Sequence, residues 1–351
     1  MKKDKMKHPI RGEELVEQAQ KVMEKEGSKG WNLAKEVMLN QKIQSLQLKK
    51  AINYVMLQYK PDFFRPAIIS FCSKVVGGSS EATVQCGASS ILLARAIGIH
   101  DDIIDDLKIR NKRPTVFGEF GRENALILSD ILSFKGFKLL GKIVEFGVSY
   151  RSIANIYDTI DRIWFEQSES EALEVQSRGK TETTPKKCLT KIMMRASEME
   201  ATTRIGGILG GGSEKEIEVL GRYGRFLGMA SILRNELIDI LELDMLRHRI
   251  KRESLPLPLI YALTNTSAKP KILSLISMKR PRIKDLQTVS KVVEEANGLR
   301  YVAKLVNRNV RNALSCVAFF GNRSKNLKLL ASSTMIDRKY CAKSHPTSKM
   351  T

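Results

Sequence analysis

His100-Asp101-Asp102-Ile103-Ile104-Asp105-Asp106 closes a largely apolar stretch, residues 90–99, and Arg110 follows it. On an α-helix, residues four apart share a face, so Asp101 and Asp105 point the same way. Asp102, three before Asp105, is also within reach. Carboxylates crowded at the end of an apolar segment repel one another. Water, a cation or protonation must relieve that repulsion. Oxygen ligands grouped in this manner suit Mg²⁺, which takes one or two carboxylates plus substrate phosphates. The chemistry indicated is a grip on a magnesium-bridged diphosphate. Acidic strings on helices are ordinarily solvated faces. This one caps an apolar helix, and cations follow it in order.

A second segment repeats the spacing. Residues 228–233 are mostly apolar, and Arg234-Asn235-Glu236-Leu237-Ile238-Asp239 follows. Asn235 and Asp239 sit four apart, with Glu236 three before Asp239, so all three are candidate metal ligands. Two apolar helices ending in this way would clamp one diphosphate between them. Such a string is also an ordinary helical surface. Downstream, Lys251 and Arg252 precede Leu255-Pro256-Leu257-Pro258, where proline suits a helix start. Lys251 is a candidate diphosphate contact, although the proline alone accounts for a capped core helix.

The elements that must position these groups read as helices nearly throughout. Periods of three and four recur at Leu15-Gln18-Ala19-Val22, Ile153-Ile156-Ile160 and Val302-Leu305-Val306-Val310. Breaks fall at residues 76–80, 179–187, 210–213 and 265–270, rich in glycine, proline or polar residues. The expected architecture is all-α, some ten to twelve helices around one centre. A basic segment, 1–28, is expected to precede a single domain, 29–340, with a basic tail at 341–351.

Composition narrows the partners. The 351 residues carry a net charge of +21, which fits nucleic acid, an anionic membrane surface or polyphosphate substrates. Aromatics are only 6%, and no nucleic-acid motif accompanies the charge, so nucleic acid is not an expected partner. Peripheral contact with an anionic membrane stays open. The five cysteines form no Cys-x-x-Cys pair and fit a reducing, cytoplasmic setting. The charged N-terminus does not read as a signal peptide. The best candidate membrane span is interrupted by Arg95.

In this order the segments resemble the trans-isoprenyl diphosphate synthases (polyprenyl synthetases). That family carries Asp-Asp-x-x-Asp and then Arg-Arg-Gly-x-Pro-Thr. Here Asp101-Asp102-Ile103-Ile104-Asp105 is followed at the same spacing by Arg110-Asn111-Lys112-Arg113-Pro114-Thr115. The second cluster falls where the family has Phe-Gln-x-x-Asp-Asp-x-x-Asp, and residues 255–263 match its Thr-Leu-Pro helix. The resemblance implies an isoprenoid-synthase-like helical bundle with both acidic motifs over a deep central apolar cavity. It implies Mg²⁺ as cofactor, an allylic prenyl diphosphate as substrate, and ionisation to a carbocation and pyrophosphate. Asp101, Asp102, Asp105 and Arg110 would be catalytic. A homodimer, or a heteromer with another prenyl synthase, is the implied assembly.

The departures from the family pattern concern the second substrate. The family's Gly-Gly-Lys-Arg-x-Arg-Pro segment, which binds isopentenyl diphosphate, corresponds to Lys60-Pro61-Asp62-Phe63-Phe64-Arg65-Pro66. Arg65 is the retained contact, and Asp62 is expected to repel the diphosphate. The family histidine is Ala94, and the second arginine of Arg-Arg is Asn111. Losing several charge-assisted bonds, at roughly 1.5–3 kcal/mol each, weakens that site by orders of magnitude. Arg195 stands at the family's Lys-Thr and would supply the charge without the geometry. By the same resemblance Ala96, five before Asp101, would line the pocket together with Ser89, Ser90, Leu92 and Leu93, leaving room for a long prenyl chain. Asn235 also resembles part of the second metal motif of class I terpene synthases, which ionise one diphosphate without isopentenyl diphosphate. A non-catalytic partner subunit of an active synthase is the other alternative.

Overall fold

The computed structural model describes residues 13–337 apart from Ser80, Asn111 and Lys279. The tail 341–351, residues 1–12 of the expected segment 1–28 and Asn111 lie outside the described residues. Among those described, the chain folds into α1 (Glu13–Leu39), α2 (Leu46–Asn53), α3 (Phe64–Val75), α4 (Ala82–Ile104) and α5 (Val116–Gly141). Then come α6 (Tyr150–Gln176), α7 (Pro185–Arg195), α8 (Ser197–Leu209), α9 (Glu214–Leu241) and α10 (Leu243–Arg252). The chain continues with α11 (Leu257–Ala262), α12 (Lys269–Ile276), α13 (Ile283–Glu295), α14 (Gly298–Ala318) and α15 (Lys325–Ser333). A two-residue hairpin pairs β1 (Ile109–Arg110) with β2 (Arg113–Pro114) antiparallel.

The all-α expectation holds, but the helices are more numerous than ten to twelve. Long periodic stretches are broken by single residues. Glu242 takes an extended conformation (φ −91°, ψ 98°) between α9 and α10. Ala196 separates α7 from α8. Conversely, α1 runs unbroken through residue 28, where a segment boundary was expected. The side chain of Ser213 accepts from the Glu216 amide, and Glu216 caps back, which starts α9 firmly.

Helix α4 is the central element. Its length and apolar composition are sufficient to cross a membrane, despite Arg95. Packing accounts for that character, because Ile91, Leu92 and Ala96 are fully buried among other helices. Glycine permits the close approach of three helices around Pro66 of α3. A Cβ on Gly30 of α1 or Gly87 of α4 would meet the Pro66 Cβ at 2.7 or 2.6 Å. At Gly121, φ +80° kinks α5 near its start.

Candidate active site

One face of α4 lines an apolar cavity of about 530 Å³. Ser90, Leu93, Ala94, Ile97 and Asp101 follow a three-to-four spacing down this face. From α6, Ile160, Trp164, Gln167 and Glu171 form the opposite wall, and Leu140 of α5 with Ile69 of α3 lines the apolar interior. Ser89, Ser90 and Leu93 therefore line the cavity as expected. Leu92 and Ala96 do not, since both are buried in the cluster against α5. The Ala96 carbonyl accepts a hydrogen bond from Ser129 Oγ at 2.9 Å. Five residues turn a helix by about 140°, so counting back five from Asp101 reaches the far side of α4.

Asp101 stands where three spaces meet. It lines the apolar cavity, a polar cleft of about 450 Å³ and a larger cleft of about 1030 Å³. Among the described residues no ion pair within 4 Å engages it. Burial, reinforced by Glu171, Asp105 and Asp102, pushes its carboxyl up to about 7, against the attraction of Arg195. Arg195 ends α7 and lines both the cavity and the polar cleft. Asp102 accepts from Arg110 Nη2 at 2.8 Å. Asp105 accepts from Arg178 Nη2 at 2.8 Å, yet burial with Glu253 and Glu171 still raises it to about 6.

The sequence reading missed Glu171. It lines both the cavity and the polar cleft, and its Oε1 is buried without a hydrogen-bond partner. Burial raises its pKa. Extending the apolar period of α6 from Ile160 by seven and eleven reaches Gln167 and Glu171, a signal that was present in the sequence. Arg110 is positioned by its hairpin. Thr115 Oγ1 donates to the Leu107 carbonyl at 2.8 Å and accepts from the Gly118 amide at 3.0 Å, which ties the loop and caps α5 together.

The second acidic helix end shares the polar cleft with Asp101 through Asn235 and Asp239. Its carboxylates face a cation already in the fold. Arg249 of α10 donates from Nη1 to Asp239 Oδ2 at 2.6 Å and from Nη2 to Glu236 Oε1 at 3.1 Å. Glu236 Oε2 accepts the Leu257 amide at 2.7 Å, at the start of α11. Glu236 is buried, and its oxygens are held by protein donors. Lys251, the expected diphosphate contact, is exposed and donates to the Met278 carbonyl. On α10 the inner face runs Leu246, Arg249, Ile250, so the helix turns Lys251 outward.

The cleft of about 1030 Å³ is lined by residues 60–65 of the altered segment. Arg65 lines it, but the guanidinium donates from Nε to Glu198 at 2.7 Å and from Nη1 to Asp62 at 2.5 Å. Asp62 is thus neutralised rather than repelling: burial opposes its ionisation, and Arg65 overrides burial and lowers its pKa. Arg95 donates to the Lys60 carbonyl at 2.6 Å and lies over the Tyr59 ring at 5.2 Å from its centroid.

Divalent-cation chemistry fits these two ends differently. Among the described residues no group of three His, Cys, Asp or Glu side chains is gathered tightly enough to hold an ion alone. Mg²⁺ bound jointly by one or two carboxylates and a diphosphate needs no such cage. Asp101, without an ion pair among the described residues, and Asp105, whose Arg178 partner is partly exposed, fit that role. Glu236 and Asp239 are held by the buried Arg249 and do not, although burial raises Asp239 to about 6 as well.

Comparison with known proteins agrees with this geometry. The Polyprenyl synthetase family profile matches residues 46–295. A short chain isoprenyl diphosphate synthase of Methanothermobacter thermautotrophicus is 29% identical over 177 residues, 50% of this chain and 53% of that protein, so the match spans about half of that relative. A geranylgeranyl diphosphate synthase of Sulfolobus acidocaldarius is 24% identical over 287 residues, 78% of this chain and 86% of that one. In fold, the chain resembles the crystal structure of geranylgeranyl pyrophosphate synthetase from Pyrococcus horikoshii. The TM-score is 0.80 at 19% identity, covering 92% of this chain and 99% of the other. With its apolar cavity beneath an acidic helix end and this match over most of its length, the chain belongs to the polyprenyl synthetase family.

Proposed function

We propose that this chain is a Mg²⁺-dependent prenyltransferase that ionises a long allylic prenyl diphosphate. One observation carries the reading: a half-buried acidic side chain, Asp101, without an ion pair among the described residues, directly over an apolar cavity. Asp101 and Asp105 would hold magnesium, which when bound supplies positive charge to the departing pyrophosphate. Arg195, at the junction of cavity and cleft, faces the same position and adds a fixed positive charge there. Trp164, Leu93 and Ile97 line the space for the prenyl chain and exclude water from it. At about 30 Å³ for each water-sized group, the cavity accommodates roughly 15–20 heavy atoms of that chain.

The geometry of Arg65 favours a second reading. With its guanidinium held by Asp62 and Glu198, the site for isopentenyl diphosphate is weakened, which suits an enzyme that ionises one diphosphate alone. Incubation with a twenty-carbon allylic diphosphate, with and without isopentenyl diphosphate, separates the two. A lengthened diphosphate supports elongation. A hydrocarbon or alcohol formed without isopentenyl diphosphate supports the single-substrate reading. Absence of pyrophosphate release in both refutes both and supports a non-catalytic partner subunit. Exposed Phe134 on α5 (79%) and Phe165 on α6 (72%) support association with a second chain.

A further inference from the structure

The second acidic helix end has the sequence spacing of a metal site and the structure of a closed ion-pair cluster. All three guanidinium nitrogens of Arg249 are engaged. Nη1 and Nη2 lie 3.1 Å from Glu236 Oε1, Nη1 lies 2.6 Å from Asp239 Oδ2, and Nε donates to the Ser254 carbonyl at 3.0 Å. Nε also lies 3.1 Å from Glu253 Oε2. Glu236 is further tied by the Leu257 amide, so a metal ion that took over both its oxygens would compete with Arg249 and with the start of α11. Arg249 is buried, with 6% of its surface exposed, which leaves it little room to swing aside. A guanidinium keeps its charge across the whole working pH range.

We infer that Arg249 is a built-in counter-cation that takes the place of a divalent ion at the second acidic helix end. A bound diphosphate then recruits its metal through the α4 carboxylates, a consequence that rests on the prenyl diphosphate reading above. Glu236 is reassigned from metal ligand to a support that joins α9, α10 and α11. Asp239 is reassigned to the rim of the same cluster.

Counting bound Mn²⁺ by electron paramagnetic resonance, with inorganic pyrophosphate present, tests this on the full chain. Asp101→Asn should lower the count, and Asp239→Asn should leave it at the wild-type value. Arg249→Gln should gain about one Mn²⁺ per chain, because a free carboxylate pair is a magnesium-type site. Adding Asp239→Asn to that variant should remove the gained ion. A wild-type count lowered by Asp239→Asn overturns the inference, as does an unchanged count in a folded Arg249→Gln protein. If Arg249→Gln fails to fold, the Asp239→Asn count decides alone. Absence of Mn²⁺ from wild type and Asp101→Asn alike refutes the magnesium reading of the first motif. In that case the count in Arg249→Gln still decides the role of Arg249.

Discussion

The acidic ends of α4 and α9 share a spacing, and burial raises carboxylates at both, but they differ in the cations that reach them. On α9, Glu236 and Asp239 meet Arg249 at hydrogen-bond distance, and Glu236 also caps a neighbouring helix. On α4, Asp102 and Asp105 each hold one arginine, but Asp101 is left among carboxylates above an apolar cavity. Motif spacing determines which face a carboxylate occupies. Whether that carboxylate is available to a ligand depends on which cation the rest of the fold brings to it. Here the open end is the one that suits an external cation, and the closed end is a structural joint.

The sharpest way to break this contrast is to neutralise one aspartate at each end. Asp101→Asn should lower the rate of diphosphate ionisation by about 10²–10³, the usual loss for a group stabilising developing charge. Asp239→Asn should lower it less than roughly tenfold by the same measure. Equal losses in steady-state assays would erase the distinction.

The next effect is on stability. Arg249→Leu leaves Glu236, Asp239 and Glu253 facing one another without their cation. Breaking a buried pair from one side costs about 3–5 kcal/mol, and denaturant unfolding should show it. A loss below about 1 kcal/mol, typical of exposed pairs, would contradict the joint role.

A smaller effect concerns pH. The Asp101 carboxyl, ordinarily near 3.8, is raised to about 7 in the fold, chiefly by burial. Between those values the folded chain binds more protons than the unfolded one. Stability from this group is therefore greatest at low pH and is lost as pH rises through about 7. In chelator, the melting temperature of Asp101→Asn should gain on that of wild type as pH rises from about 5 to 7.5. Mg²⁺ with pyrophosphate should narrow the gap. A gap that stays constant across this range would show that Asp101 titrates normally.

The smallest effect is expected at Lys251. Exposed and turned to the Met278 carbonyl, it should tolerate alanine with less than a threefold change in KM and within about 0.5 kcal/mol of stability. A larger KM change would return it to the site.

Much of the fold was legible in the sequence because three-to-four periodicity and glycine or proline breaks are local signals. The shared helix face of Asp101 and Asp105 was legible for the same reason, whereas the cavity face at Ser90 and Leu93 came from the resemblance to the family. Ala96 was misplaced by a count of five, which turns the helix away from the motif face. Lys251 was singled out from a basic run without applying the α10 register, which buries Arg249 and turns Lys251 outward. Glu171 lay on an extended period whose acidic surroundings resembled a solvated face. The engagement of Arg65 was not legible at all, since Glu198 lies 133 residues away and only the packing of α3 against α8 brings the two together.

The central claim is that the α4 carboxylates present a metal-assisted diphosphate to the apolar cavity. Its most direct test is pyrophosphate release from a twenty-carbon allylic diphosphate by the wild-type chain, titrated with Mg²⁺ and then with chelator. Release should rise with Mg²⁺ and stop on chelation. Release that is absent at every Mg²⁺ concentration, or that persists unchanged in chelator, would contradict it.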